Sequence, residues 1–169
     1  MWKQAITELI QTNSTWLRQA IDLIETLDDA VFATKVGAHM RHIVEFYECF
    51  LNGLETACVD YDQRKRDESI ATSRPRAAAR IRTLMRRLEA VGRYDDDALL
   101  AVRIEGSDSS VFLRSSVARE LQALSSHTIH HFALIAVTLR MHGVEMDPDF
   151  GMAPSTLRYL AARATAEAA

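Results

Sequence analysis

Cysteine is scarce in this chain. Cys49 and Cys58 are the two in 169 residues, too few for a disulfide framework. They stand nine positions apart in one helical stretch and project in different directions. A bridge between them is disfavoured, and they read as free thiols in a reducing compartment. Long hydrophobic runs are missing too. The longest apolar stretch, FALIAVTL at 132–139, is far too short to span a bilayer. The opening MWKQAITELIQTNSTWLRQAIDLIETL has neither the apolar region nor the small-residue cleavage site of a signal peptide. Nor does one sign of charge dominate: 20 Lys and Arg face 23 Asp and Glu, a formal charge of -3. The basic runs QRKRD (63–67) and RRL (86–88) are short and have acids nearby. These absences argue against a nucleic-acid or membrane partner and set the expectation of a cytoplasmic protein. Repeats and a second domain are also lacking, so 1–169 reads as a single domain with room for a sizeable core.

What the sequence does contain is helical periodicity. Ile6, Leu9, Ile10, Leu17, Ile21, Ile24 and Leu27 recur every three to four positions and predict a first helix to about Phe32. Met40, Ile43, Phe46, Tyr47, Phe50, Leu51 and Leu54 predict a second, from about Val36 to Val59. The polar DYDQRKRDES (60–69) follows as a loop. TSRP (72–75) then resembles a helix start, with Ser73 as cap and Pro75 in the first turn. Ile81, Leu84, Met85, Leu88 and Val91 form the stripe of that third helix, which ends near Gly92. Between 93 and 115, LLAVRI and SVFLR flank EGSDS and suit a short β-hairpin. A fourth helix runs from Ser115 or Ser116 to about His142, with Gly143 as its stop, and a tail with a short helix from 155 closes the chain. The expected fold is all-α: a four-helix bundle, a small hairpin between helices 3 and 4, and an irregular C-terminal tail with a short helix.

Three of the six histidines fall within five positions, 127–131, of SSHTIHHFALIAVTLRMHG (125–143). On a helix His127 and His131 share a face one turn apart, whereas His130 points about a hundred degrees away from His131. An i, i+4 pair supplies two ligands, so a firm metal site needs a third from elsewhere. His142 suits a solvated position favoured by the helix C-terminus. His39 or His42, on the second helix, completes a three-histidine set with a position open for water or substrate. The bland alternative is a polar layer of hydrogen-bonded histidines, satisfied by Glu45 or Glu120. No H-E-x-x-H is present, since Thr128 and Ile129 follow His127, so a zincin-type base is absent.

VGAHMRHIVEFYECFLNGL (36–54) and ELQALSSHTIHHFALIAVTLRMHGVEMDPDFGMAPSTLRYL (120–160) resemble the second-helix and last-helix histidine regions of the DinB-like superfamily of metal-binding four-helix bundles. The likeness is to its small bacterial members of undefined activity. HIVEFYECFL (42–51) is also similar to a segment of the DinB-like domain in ergothioneine-forming sulfoxide synthases. The resemblance selects His42 over His39 and implies the metal set His42, His127 and His131, with His39 as second choice. Three neutral imidazoles suit zinc, nickel or iron alike. Zinc or nickel is favoured by a small margin.

The resemblance further implies either a thiol-dependent transferase, using bacillithiol, mycothiol or glutathione on a small electrophile, or a hydrolase activating water. A metal-binding, stress-associated bundle without catalysis is the other class of reading. Glu45 and Glu120 are candidates for orienting a histidine's second nitrogen. Tyr61, Arg64 and Arg66 offer groups near a metal mouth, arginine suiting the carboxylates of a thiol cofactor. Tyr159 reaches the site only if the tail folds over the bundle. Cys49, in an apolar helix without a histidine three or four positions away, is not expected to be catalytic. Plentiful apolar residues around the helices, and the assembly of the resembled proteins, lead to the expectation of a homodimer acting on a small molecule.

Overall fold

The apolar stripe of the first segment builds α1 (Lys3–Thr26), the opening helix of a computed structural model describing residues 3–106 and 111–167. It stops short of Phe32. Asp28 is extended, and its carboxylate accepts the Val31 N–H at 2.7 Å, capping the single turn α2 (Asp29–Val31). A π-helical turn, Phe32–Val36, leads into α3 (Gly37–Gly53).

The second helix was expected to reach Val59 and instead ends at Gly53. The chain doubles back through Ala57, at φ 52°, and Cys58–Val59 forms the strand β1. A Cβ at Gly53 would lie 2.5 Å from the Cys58 carbonyl oxygen, so the reversal depends on the glycine. The expected loop at 60–69 contains the start of α4 (Glu68–Thr72), whose Ser69 N–H is capped by Asp67 at 3.0 Å. The helix α5 (Arg74–Glu89) follows. Ser73 occupies its N-cap position without a side-chain capping bond, Pro75 sits in the first turn, and a 3₁₀ turn, Ala90–Arg93, ends it.

The hairpin is present as β2 (Leu99–Arg103) and β3 (Phe112–Ser116), antiparallel, with Leu100 opposite Ser115 and Val102 opposite Leu113. It has a third strand: β1 pairs in parallel with β2, Val59 against Val102. Two residues carry no readable alternation, so only tertiary pairing reveals them. Glu105 and Gly106 form a turn, while 107–109 of EGSDS lie outside the described residues. Ser116 caps α6 (Val117–Met141) through the Arg119 N–H, and α7 (Pro154–Glu167) is the tail helix.

Helices α1 and α3 each pack against α5 and α6, closing a ring of four long helices. The simple four-helix bundle is nonetheless corrected to an irregular one. Short α4 braces α3 and α5, a three-stranded sheet sits between the middle helices, and α7 buries none of its residues. One buried polar network ties the ring together. The fully buried Tyr47 hydroxyl donates to Asn13 Oδ1 at 2.6 Å, and Asn13 Nδ2 donates to the Leu121 carbonyl at 3.1 Å. Thr128 Oγ1 lies 3.3 Å from the Tyr47 hydroxyl. These bonds fix α3 against α1 and α6, and α3 and α6 are the helices that carry the clustered histidines.

Candidate metal centre

The stripe Glu120, Leu124, His127, His131 runs down one face of α6, because residues three and four apart stack on a helix. Facing it, α3 presents His42. The ligand atoms of His42, His127 and His131 all lie within 4.8 Å of one another, and no other such group occurs among the described residues. His42 Nε2 and His127 Nε2 are 3.1 Å apart. Two nitrogens bound at about 2.0–2.1 Å to one tetrahedral ion would stand roughly 3.3 Å apart, so the pair is close to a coordinating separation. All three side chains are half-buried.

Burial is the main cause that holds these imidazoles neutral. It lowers His42 and His127 to about 4 and His131 to about 3. Arg64 and His39 push His42 the same way, His42 and His130 push His127, and His127 and His42 push His131. Neutral rings keep a lone pair for a metal. The donor set, its spacing and its protonation together fit a divalent cation, with fewer than four protein ligands and hence room for an exchangeable one. His127 Nδ1 is buried without a hydrogen-bond partner.

His39 stands outside the three. Its Nδ1 lies 2.9 Å from His131 Nδ1, so one ring donates to the other and the free nitrogen of His131 is Nε2. His130 is exposed and turned away, its ring centroid 5.3 Å from that of His131. His142 is exposed at the end of α6, one ring nitrogen 2.8 Å from the Thr138 carbonyl, as expected of a helix-terminal histidine.

The two glutamates have other partners than histidine, and neither is solvated. Glu45 is buried and accepts the Asp67 N–H at 2.8 Å, holding the loop that precedes α4. Burial raises its pKa, partly opposed by that bond. Glu120 is buried and accepts from the Tyr61 hydroxyl at 2.7 Å and the Ser115 hydroxyl at 2.5 Å. In the sequence Ser115 reads as a possible helix start, and its bond to Glu120 follows from the facing of β3. The 60–67 loop does reach the site. The Phe46 ring stacks on His127 at 4.0 Å between centroids, Tyr61 stacks on Phe46 at 5.0 Å, and the Arg64 guanidinium lies 4.9 Å from the Phe46 centroid. Arg66 and Tyr159 are exposed. Burial pushes the Cys49 thiol up to about 11, so it is un-ionised near neutrality.

The chain is 30% identical over 155 residues to a protein of Rhizopus delemar named FK506-binding protein 5. The match covers 89% of this chain and 38% of that one, so the chain spans well under half of the relative's length. No family model matches the chain. No solved structure matches it.

Proposed function

We propose that this chain is a DinB-like bundle holding one divalent ion on His42, His127 and His131 and using it in catalysis on a small molecule. The observation that carries the reading is the meeting of three neutral imidazoles from α3 and α6 within 4.8 Å. Zinc or nickel is the favoured ion and iron the next choice, since imidazole suits all three. When bound, such an ion lowers the pKa of a water or thiol in its open position and supplies positive charge to a developing anion.

The chain's own residues do the rest. With Nε2 given to the ion, the His131 proton would sit on Nδ1, 2.9 Å from His39 Nδ1, a contact that orients the ring and sets its tautomer. Phe46, stacked on His127, holds that ring in plane and shields one side from water. Arg64, held over Phe46, is placed to meet an anionic group of a thiol cofactor such as glutathione, mycothiol or bacillithiol. Thiol transfer to a small electrophile is therefore the reaction we favour. The alternatives are a hydrolase and a non-catalytic, stress-associated metal-binding protein. The name of the Rhizopus protein speaks of FK506 binding in a longer chain. Our reading rests on the histidines of this one. A cytoplasmic setting belongs to the same proposal, because Cys49 and Cys58 are free.

The test is metal analysis of untagged protein after repletion with zinc, nickel and iron, beside His42→Ala and His127→Ala. We expect about one ion per chain in the parent and clear loss in both variants. A parent that stays metal-free ends the metalloenzyme reading. Loaded protein is then offered glutathione with an aryl halide, and separately an activated ester without thiol. Conjugation supports the transferase, ester cleavage alone makes it a hydrolase, and inertness to both leaves a binding protein.

A further inference from the structure

Beside the histidine cluster lies a cavity of about 380 Å³, walled by α6 on one side and the β-hairpin on the other. His127 and Phe46 form one end of it, so the cavity and the proposed metal position share a residue.

Its lining follows from strand alternation. In β2 and just beyond it, Leu100, Val102 and Ile104 point to the same face. Pairing adds Leu113 and Ser115 of β3 and Val59 of β1 to that face. Ser115 bonds Glu120, which shows that this is the face turned toward α6. The base of the row belongs to the core, with Val59 at 0% and Leu100 at 5% exposure. Farther out the row stays apolar although the core has ended: Ile104 is 37% and Leu113 58% exposed. Across the gap, Ala123 and Leu124 of α6 continue the apolar wall toward His127. Of the polar residues around the cavity, Glu120 has both oxygens engaged by the Tyr61 and Ser115 hydroxyls and Arg103 pairs with Asp60, while the exposed Glu105 and Arg119 also line it.

We infer that this cleft binds the apolar body of the substrate, an alkyl or aryl group carried on the head that reaches the ion. The inference deepens the metal-site reading and rests on it. Specificity then comes from the hairpin, whose inward row continues beyond the core to cover a ligand's hydrocarbon. The cavity volume lies within the range of small-molecule sites.

Straight-chain hydroxamic acids test this, because the head ligates the ion whatever the tail. Zinc-loaded protein is titrated with the acetyl, butyryl, hexanoyl and octanoyl members, and the Leu113 and Ala123 amide signals are followed. Affinity is expected to rise roughly two- to fourfold per added methylene until the cleft is filled, with shifts at both amides. In Leu113→Asp that gain should disappear while acetohydroxamate binds as before. Leu113 is largely exposed, so the variant should keep the fold. Equal affinities along the series would overturn the cleft and leave the metal reading intact. If no member binds and the protein takes up no zinc, the metal reading falls and this inference with it.

Discussion

His131 has an imidazole on every side that matters: His39 at its Nδ1, with His42 and His127 at ring-centroid distances of 4.7 and 4.6 Å. Crowding of this kind is tolerable only for neutral rings. The consequence for the metal-free protein has a definite sign. An imidazole in the unfolded chain titrates near 6.5, whereas burial first, then neighbouring charge, holds the native values near 4 for His42 and His127 and 3 for His131. Between these limits the unfolded chain binds protons that the native state refuses, so acidification favours unfolding. We expect the urea midpoint of chelator-stripped protein to fall from about pH 7 to about pH 5, and to fall less in His131→Asn. A parent and variant with the same pH slope would mean that the His131 ring titrates freely when folded.

At the scale of elements, the site depends on how closely α3 and α4 approach. A Cβ built on Gly37 lies 1.8 Å from the Ala71 carbonyl oxygen, and backbone cannot turn aside as a side chain can. Gly37→Ala should therefore cost roughly 1–3 kcal/mol in urea unfolding, as overpacking does. Gly92→Ala is the control. Its Cβ would meet nothing nearer than Ile10 Cδ1 at 3.8 Å, so its effect should stay within about 0.5 kcal/mol. Equal costs would show that α3 and α4 are not held in contact. The contact reaches the site because the N-cap of α4 is Asp67, whose N–H is held by Glu45 one turn beyond His42.

Over the whole molecule, an apolar stripe remains on the outer face of α6. Leu134, Val137 and Met141, three and four positions apart, are 40%, 55% and 79% exposed. The tail helix α7 separately exposes Tyr159 and Leu160 at 60% and 43%. No helix among the described residues is long and apolar enough to cross a membrane, so a bilayer-spanning helix does not account for this surface. We propose that it joins two copies of the chain. Sedimentation should give two 19.0 kDa chains, and Val137→Asp with Met141→Asp should give one. A parent that sediments as a single chain at every concentration would remove the homodimer from the account.

The sequence by itself determined where the four long helices lie, though not where the first two end, that a hairpin lies between the third and fourth of them, and that His127 and His131 share a face. Each of these is written in residues within a few positions of one another, where the 3.6- and 2-residue periods operate. It also offered Ser115 or Ser116 as the start of α6, of which the structure uses Ser116, and Gly143 as its stop. Tertiary structure alone decided the rest. His42 meets His127 across 85 positions and His39 meets His131 across 92, and no local period distinguishes the two pairings. The single turn of α2 and the π-helical turn before α3, the two-residue strand β1, and the engagement of Glu45 and Glu120 away from the histidines follow from packing and hydrogen-bond satisfaction. Local sequence sets which way a side chain can point along its own element. What it meets there depends on how the elements close around a common core.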